Sequence, residues 1–96
     1  MRPKRLPDDE IRTRLEAIPG WAYEDGKLRR RFQFDGFVAA FGWMTSVALV
    51  AERMDHHPEW TNVYSRVSVD LCTHDAGGVT ELDFELAARM SALAGG

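Results

Sequence analysis

A chain of 96 residues with a formal net charge of −3 and a pI near 5.5 has the length of one compact domain, here residues 1–96, and no more. The acidic balance excludes a general basic nucleic-acid binder. Cys72, the one cysteine, excludes an internal disulfide and fits a reducing, cytoplasmic setting.

The N-terminus "MRPKRLPDDE" lacks the apolar stretch of a signal peptide. "PDDEIRTRLEAIPG" then predicts a first helix. Asp8 or Asp9 caps it, Ile11, Leu15 and Ile18 share one face, and Pro19-Gly20 stops it. "WAYEDGKLRRRFQF" predicts a hairpin turned at Asp25-Gly26, with Lys27, Arg29, Arg30 and Arg31 on a solvated strand face.

Asp35 is the expected cap of a long helix, "GFVAAFGWMTSVALVAERM". This helix carries two apolar stripes. One is Phe37, Phe41, Met44, Ala48 and Ala51; the other is Ala40, Trp43, Val47, Val50 and Met54. Packing on one sheet needs a single stripe, so the stripe with Trp43, Val47 and Val50 is expected to meet another copy of the chain. A small core gains from such burial. The longest uncharged run, residues 36–51, is interrupted by Gly42, Thr45 and Ser46. It falls short of the ~20 apolar residues of a membrane span.

Pro58 ends the helix or the turn after it. In "WTNVYSRVSVDLCTH", Val63, Val67, Val69 and Leu71 alternate with polar residues, the period of half-buried strands, and residues 62–66 hold the bend between two of them. Thr80 with Asp83 resembles a capping box for a last helix over residues 81–93. The order is α-β-β-α-β-β-α: an α+β, two-layer domain with a four-stranded antiparallel sheet covered by helices.

The three histidines are the chemical signal. His56 and His57 lie between the long helix and the third strand, and His74 lies where the fourth strand enters a loop. Gathered at one sheet end, they would suit proton transfer near neutral pH. Glu52 or Asp55 could fix an imidazole tautomer. Asp83 reads equally as a site residue and as a helix cap, and Trp60 as a core or a stacking residue. The rival reading is a metal enzyme, with the histidines joined by Asp55, Asp75 or Glu52. Adjacent histidines lack the i, i+4 spacing of zinc-binding helices, so the metal-free reading is preferred. No glycine-rich phosphate loop accompanies "DAGGV".

These residues resemble the pterin-4a-carbinolamine dehydratases, whose signature reads here as Glu52-x3-His56-His57-Pro58, Tyr64, His74 and Asp83. The words "FGWMTSVALVAERMDHHPEWTNVY" and "THDAGGVTELD" extend the resemblance to nearly the whole chain. Cys72 stands where family members often carry serine. The resemblance implies dehydration of 4a-hydroxytetrahydropterin to quinonoid dihydropterin, without metal or bound cofactor. It implies three helices on one side of the sheet. His56 and His74 would be the acid–base pair, and His57 would bind and orient the substrate. Asp55, Cys72, Thr73 and Asp75 would join the histidines in holding the pterin, with Glu52 and Asp83 in support. It also implies homodimers through sheet edges and homotetramers through the long helices. The alternative is a non-catalytic role: some animal relatives act as dimerisation cofactors for a homeodomain transcription factor.

Overall fold

The computed structural model describes residues 3–95. Helix α1 (Asp8–Arg14) runs through a 3-10 turn into strands β1 (Ala22–Glu24) and β2 (Lys27–Gln33). Helix α2 (Phe37–Met54), strands β3 (Glu59–Val63) and β4 (Arg66–Leu71), and helix α3 (Glu81–Leu93) follow. The strands form one antiparallel sheet in the order β1-β2-β4-β3. The expected element order and architecture are therefore observed.

Strand alternation sorts the two sheet faces. Leu28 and Phe32 of β2 stand opposite Leu71 and Val67 of β4. All four are buried beneath the helices, with Val69 beside them. The intervening Arg29, Arg31, Ser68 and Asp70 point to the uncovered face. Arg30 departs from the predicted solvated run. It shares parity with Leu28 and Phe32, so its guanidinium lies 4.3 Å over the Phe32 ring and bonds Ser91 Oγ at 2.9 Å.

Local signals close the turns. Asp25 and Gly26 both have positive φ, 52° and 75°, as a two-residue turn matched to strand twist requires. Asn62 donates its side-chain amide to the carbonyls of Tyr64 and Arg66 at 3.1 and 2.9 Å, holding the β3–β4 bend. Two predicted caps differ. Pro7 and Gly36 precede the first two helices, and neither Asp8, Asp9 nor Asp35 caps through its side chain.

The two stripes of α2 are exchanged relative to expectation except at Ala51, which belongs to the stripe expected on the sheet and is buried there. Ala40, Trp43, Val47 and Ala51 are buried against the sheet and α3, whereas Phe37, Phe41 and Leu49 are 49%, 55% and 67% exposed. Trp43 decides the rotation. Its ring packs 4.4 Å from Phe32, 5.1 Å from Phe34 and 6.1 Å from Trp60, and its indole N–H donates to the Met90 carbonyl. Trp60 thus packs on the core. At 18 residues, α2 is by itself long and apolar enough to pass for a membrane span. Its Trp43 face instead belongs to the core shared with β2, β4 and α3.

Candidate functional site

The end of α2 sets the first two histidines. Asp55 adopts a left-handed conformation, φ 52°. Its N–H donates to the Glu52 carbonyl at 3.1 Å, while the His56 N–H reaches back to the Ala51 carbonyl at 3.0 Å. This paired termination stops the helix before Pro58 and fixes the chain direction at His56. His74 opens a 3-10 turn, His74–Ala76, directly beyond β4, and that loop is pinned by the Thr73–Gly78 bridge.

These ends meet at an open cleft of about 200 Å³ lined by Asp55, His56, His57, Cys72, Thr73, His74 and Asp75, with Pro3 and Leu82. All three histidines line it, as do the four other residues expected to hold a substrate. Glu52 and Asp83 stand behind His57 and His56.

His56 is buried, and its Nε2 lies 2.6 Å from Asp83 Oδ1. Asp83 is fully buried. Its other oxygen accepts from the Thr80 N–H at 2.8 Å and from the Thr73 hydroxyl at 2.9 Å. The Thr73 and Thr80 hydroxyls lie 2.7 Å apart. Asp83 therefore combines both readings: it completes the capping box of α3 and holds an imidazole. Nε2 is thus the ring nitrogen of His56 that meets Asp83, and Nδ1 is the other.

His57 is exposed, and its Nε2 lies 2.8 Å from Glu52 Oε1. Of the two acids weighed for an imidazole, Glu52 makes the contact, to His57. The partner of His56 is instead Asp83.

His74 is the most exposed of the three, 3.6 Å from Glu59 Oε2. Lys27 Nζ donates to the other Glu59 oxygen at 2.8 Å. That bond, above all, holds the Glu59 carboxyl below the usual range. Glu59 and Lys27 were missed in the sequence because their place depends on strand pairing. Lys27 opens β2 and Glu59 opens β3, and β4 between them carries both to the edge near Cys72.

Cys72 is half-buried, and burial, with Glu59 adding to it, pushes its thiol above the ordinary value. Because thiolate is the reactive form, alkylation of Cys72 at pH 7.5 is expected to be slower than that of a free thiol. It should still be accelerating at a pH where the free thiol has levelled off. Iodoacetamide labelling followed by mass spectrometry across that range checks this; a rate already flat at pH 8 would contradict it.

Fold and site together define a class: a small helix-on-sheet domain whose cleft gathers three imidazoles beside carboxylates. The chain matches the family profile of Pterin 4 alpha carbinolamine dehydratase over residues 4–93. A relative from Solibacter usitatus, whose own assignment as a pterin-4-alpha-carbinolamine dehydratase is provisional, is 52% identical over 96% of this chain and 97% of its own. A crystal structure from Brucella melitensis described as a transcriptional coactivator/pterin dehydratase superposes with TM-score 0.91 at 48% identity, covering 95% of this chain and 99% of that one. A pterin dehydratase-like protein described as a RuBisCO assembly factor in the alpha-carboxysome superposes with TM-score 0.64 at 25% identity, over 78% and 87% of the two chains. The chain belongs to the pterin-4a-carbinolamine dehydratase family.

Proposed function

We propose that the protein dehydrates 4a-hydroxytetrahydropterin, tetrahydrobiopterin-derived or similar, to quinonoid dihydropterin and water by histidine acid–base catalysis in the cytoplasm. The observation that carries this reading is the convergence of His56, His57 and His74 on one cleft, with the first two each held by a carboxylate.

The substrate bears a hydroxyl on C4a next to N5–H. Elimination breaks the C4a–O bond, gives the departing hydroxyl a proton and removes the proton from N5. Water leaves and a C4a=N5 double bond forms. Hydroxide is a poor leaving group, so the general acid carries much of the acceleration. His56 suits the base: a proton taken at Nδ1 makes an imidazolium whose charge lies against Asp83. His74, open to solvent, suits the acid and can be reprotonated from water. His57, held by Glu52, orients the pterin. The chain at 72–75 offers the flat amide edge of the pterin hydrogen-bond partners. Protein added to freshly generated 4a-hydroxypterin in a stopped-flow cell is expected to accelerate dehydration, and to keep doing so after chelation. An uncatalysed rate with folded protein would refute the reading, and a rate abolished by chelation would restore the metal mechanism.

The same proposal includes self-association. Phe37 and Phe41, with ring centroids 5.7 Å apart, lie exposed on α2 together with Val38 and Leu49, and among the described residues the outer edge of β3 has no partner strand. An apolar helix face of this kind marks an interaction surface. Phe41→Glu is expected to reduce a tetramer to dimers with little change in melting temperature. Val47→Glu, at the position first assigned to the interface, should unfold the chain, because it buries an unpaired charge. Light scattering and thermal melts separate the two; wild-type protein that is monomeric at micromolar concentration would refute the association.

A second reading, a non-catalytic binding protein using that helix face, takes support from the coactivator and assembly-factor descriptions of the two structural relatives. The dehydration assay discriminates between the readings.

A further inference from the structure

At the lip of the cleft, three different metal-ligating groups converge. The donor atoms of Glu59, Cys72 and His74 all lie within 4.8 Å of one another. Cys72 Sγ is 4.0 Å from His74 Nε2, which is 3.6 Å from Glu59 Oε2. Ligands around a tetrahedral zinc ion, at bonds of about 2.0–2.3 Å, stand roughly 3.3–3.7 Å apart. Closing the cluster on an ion takes shifts of no more than about an ångström, in side chains of which two are exposed.

The backbone beneath is fixed. Glu59 pairs with Asp70 at the start of β3, so its side chain lies beside the end of β4. Cys72 follows that strand directly, and His74 opens the pinned 3-10 turn. One cation competes here: Lys27 Nζ holds Glu59 Oε1. The oxygen facing His74 is the other one, Oε2, so an ion can bind without displacing Lys27. A thiolate, an imidazole and a carboxylate form a mixed S, N, O set. That set suits zinc and similar borderline ions and discriminates against magnesium and calcium. The exposure of the cluster leaves the fourth position to water.

We propose that Glu59, Cys72 and His74 form a reversible binding site for zinc or a similar borderline divalent ion, and that its occupancy switches the cleft off. On binding, Cys72 releases its thiol proton to solvent, and the Nε2 lone pair of His74 enters a coordinate bond. That nitrogen can then neither give nor take a proton. The inhibitory half of the proposal rests on the dehydration reading; the binding half does not.

The test uses tag-free, metal-stripped full chain. Cobalt(II) is expected to give a thiolate-to-cobalt charge-transfer band that saturates at one equivalent per chain and is bleached by zinc. Calorimetry should show Cys72→Ser and His74→Gln each weakening zinc binding by more than about 10-fold. Absence of the band at stoichiometric cobalt, or unchanged zinc affinity in Cys72→Ser, would overturn the site. So would loss of zinc binding in His57→Gln alone, which would place the ion on the His57–Glu52 pair. Zinc at saturation should lower wild-type dehydration more than about 10-fold, with recovery on chelation; full activity of the loaded protein would overturn the switch. A chain that shows the cobalt band but never dehydrates pterin would sink the proposed function and leave the site standing.

Discussion

Asp83→Asn is expected to lower kcat by about 10²–10⁴-fold while the chain stays folded, and Asp83→Ala to cost both activity and stability. Three donors converge on this buried carboxylate: the Thr80 N–H, the Thr73 hydroxyl and His56 Nε2. An amide keeps the shape but offers one acceptor oxygen in place of two. If that oxygen stays with the Thr80 N–H, the amide nitrogen donates to His56 Nε2. The imidazole then carries its proton on Nδ1, the nitrogen that must take one from the substrate. If the amide turns the other way, the cap of α3 loses its acceptor. Alanine removes every acceptor and leaves buried donors unpaired, a cost of about 3–5 kcal/mol. For a chain of this size that lowers the melting temperature by more than about 10 °C. A full kcat in a well-folded Asp83→Asn would show that the His56–Asp83 pair only supports the fold.

His56→Ala and His74→Ala should each lower kcat by about 10²–10⁴-fold, whereas His57→Ala should mainly raise KM. A group that moves a proton acts in the transition state, while a group that positions the pterin acts already on bound substrate. The variants differ in stability as well, which guards the interpretation. His56 is buried on Asp83, so its removal also loosens α3 and should lower the melting temperature. His74 and His57 are 76% and 59% exposed at the side chain and should leave it nearly unchanged. Steady-state kinetics with a melt on each variant reads this directly. If His57→Ala alone lost kcat, the roles of the histidines would have to be exchanged.

Much of the protein follows from local chemistry along the chain. Pro19-Gly20, the Asp25-Gly26 turn, the alternation of Val67, Val69 and Leu71, and the Thr80/Asp83 box each act within a few residues, so they set the elements without tertiary help. The Glu52, His56, His57, Tyr64, His74 and Asp83 spacings likewise carry the family. Tertiary structure decided the rest, because the rest depends on residues far apart in sequence. Apolar periodicity in α2 gives two faces but not which one meets the sheet. The face that meets the sheet is the one carrying Trp43, whose ring packs among Phe32, Phe34 and Trp60, residues far from it in sequence. Several acids stood near enough in sequence to serve an imidazole. The partner of His56, however, lies 27 residues away, brought there by the docking of α3 on α2. Cys72 and His74 stand two residues apart in the sequence, but the place of Glu59 beside them was not legible for the same reason: antiparallel pairing of β3 with β4 sets that carboxylate beside the thiol and the imidazole.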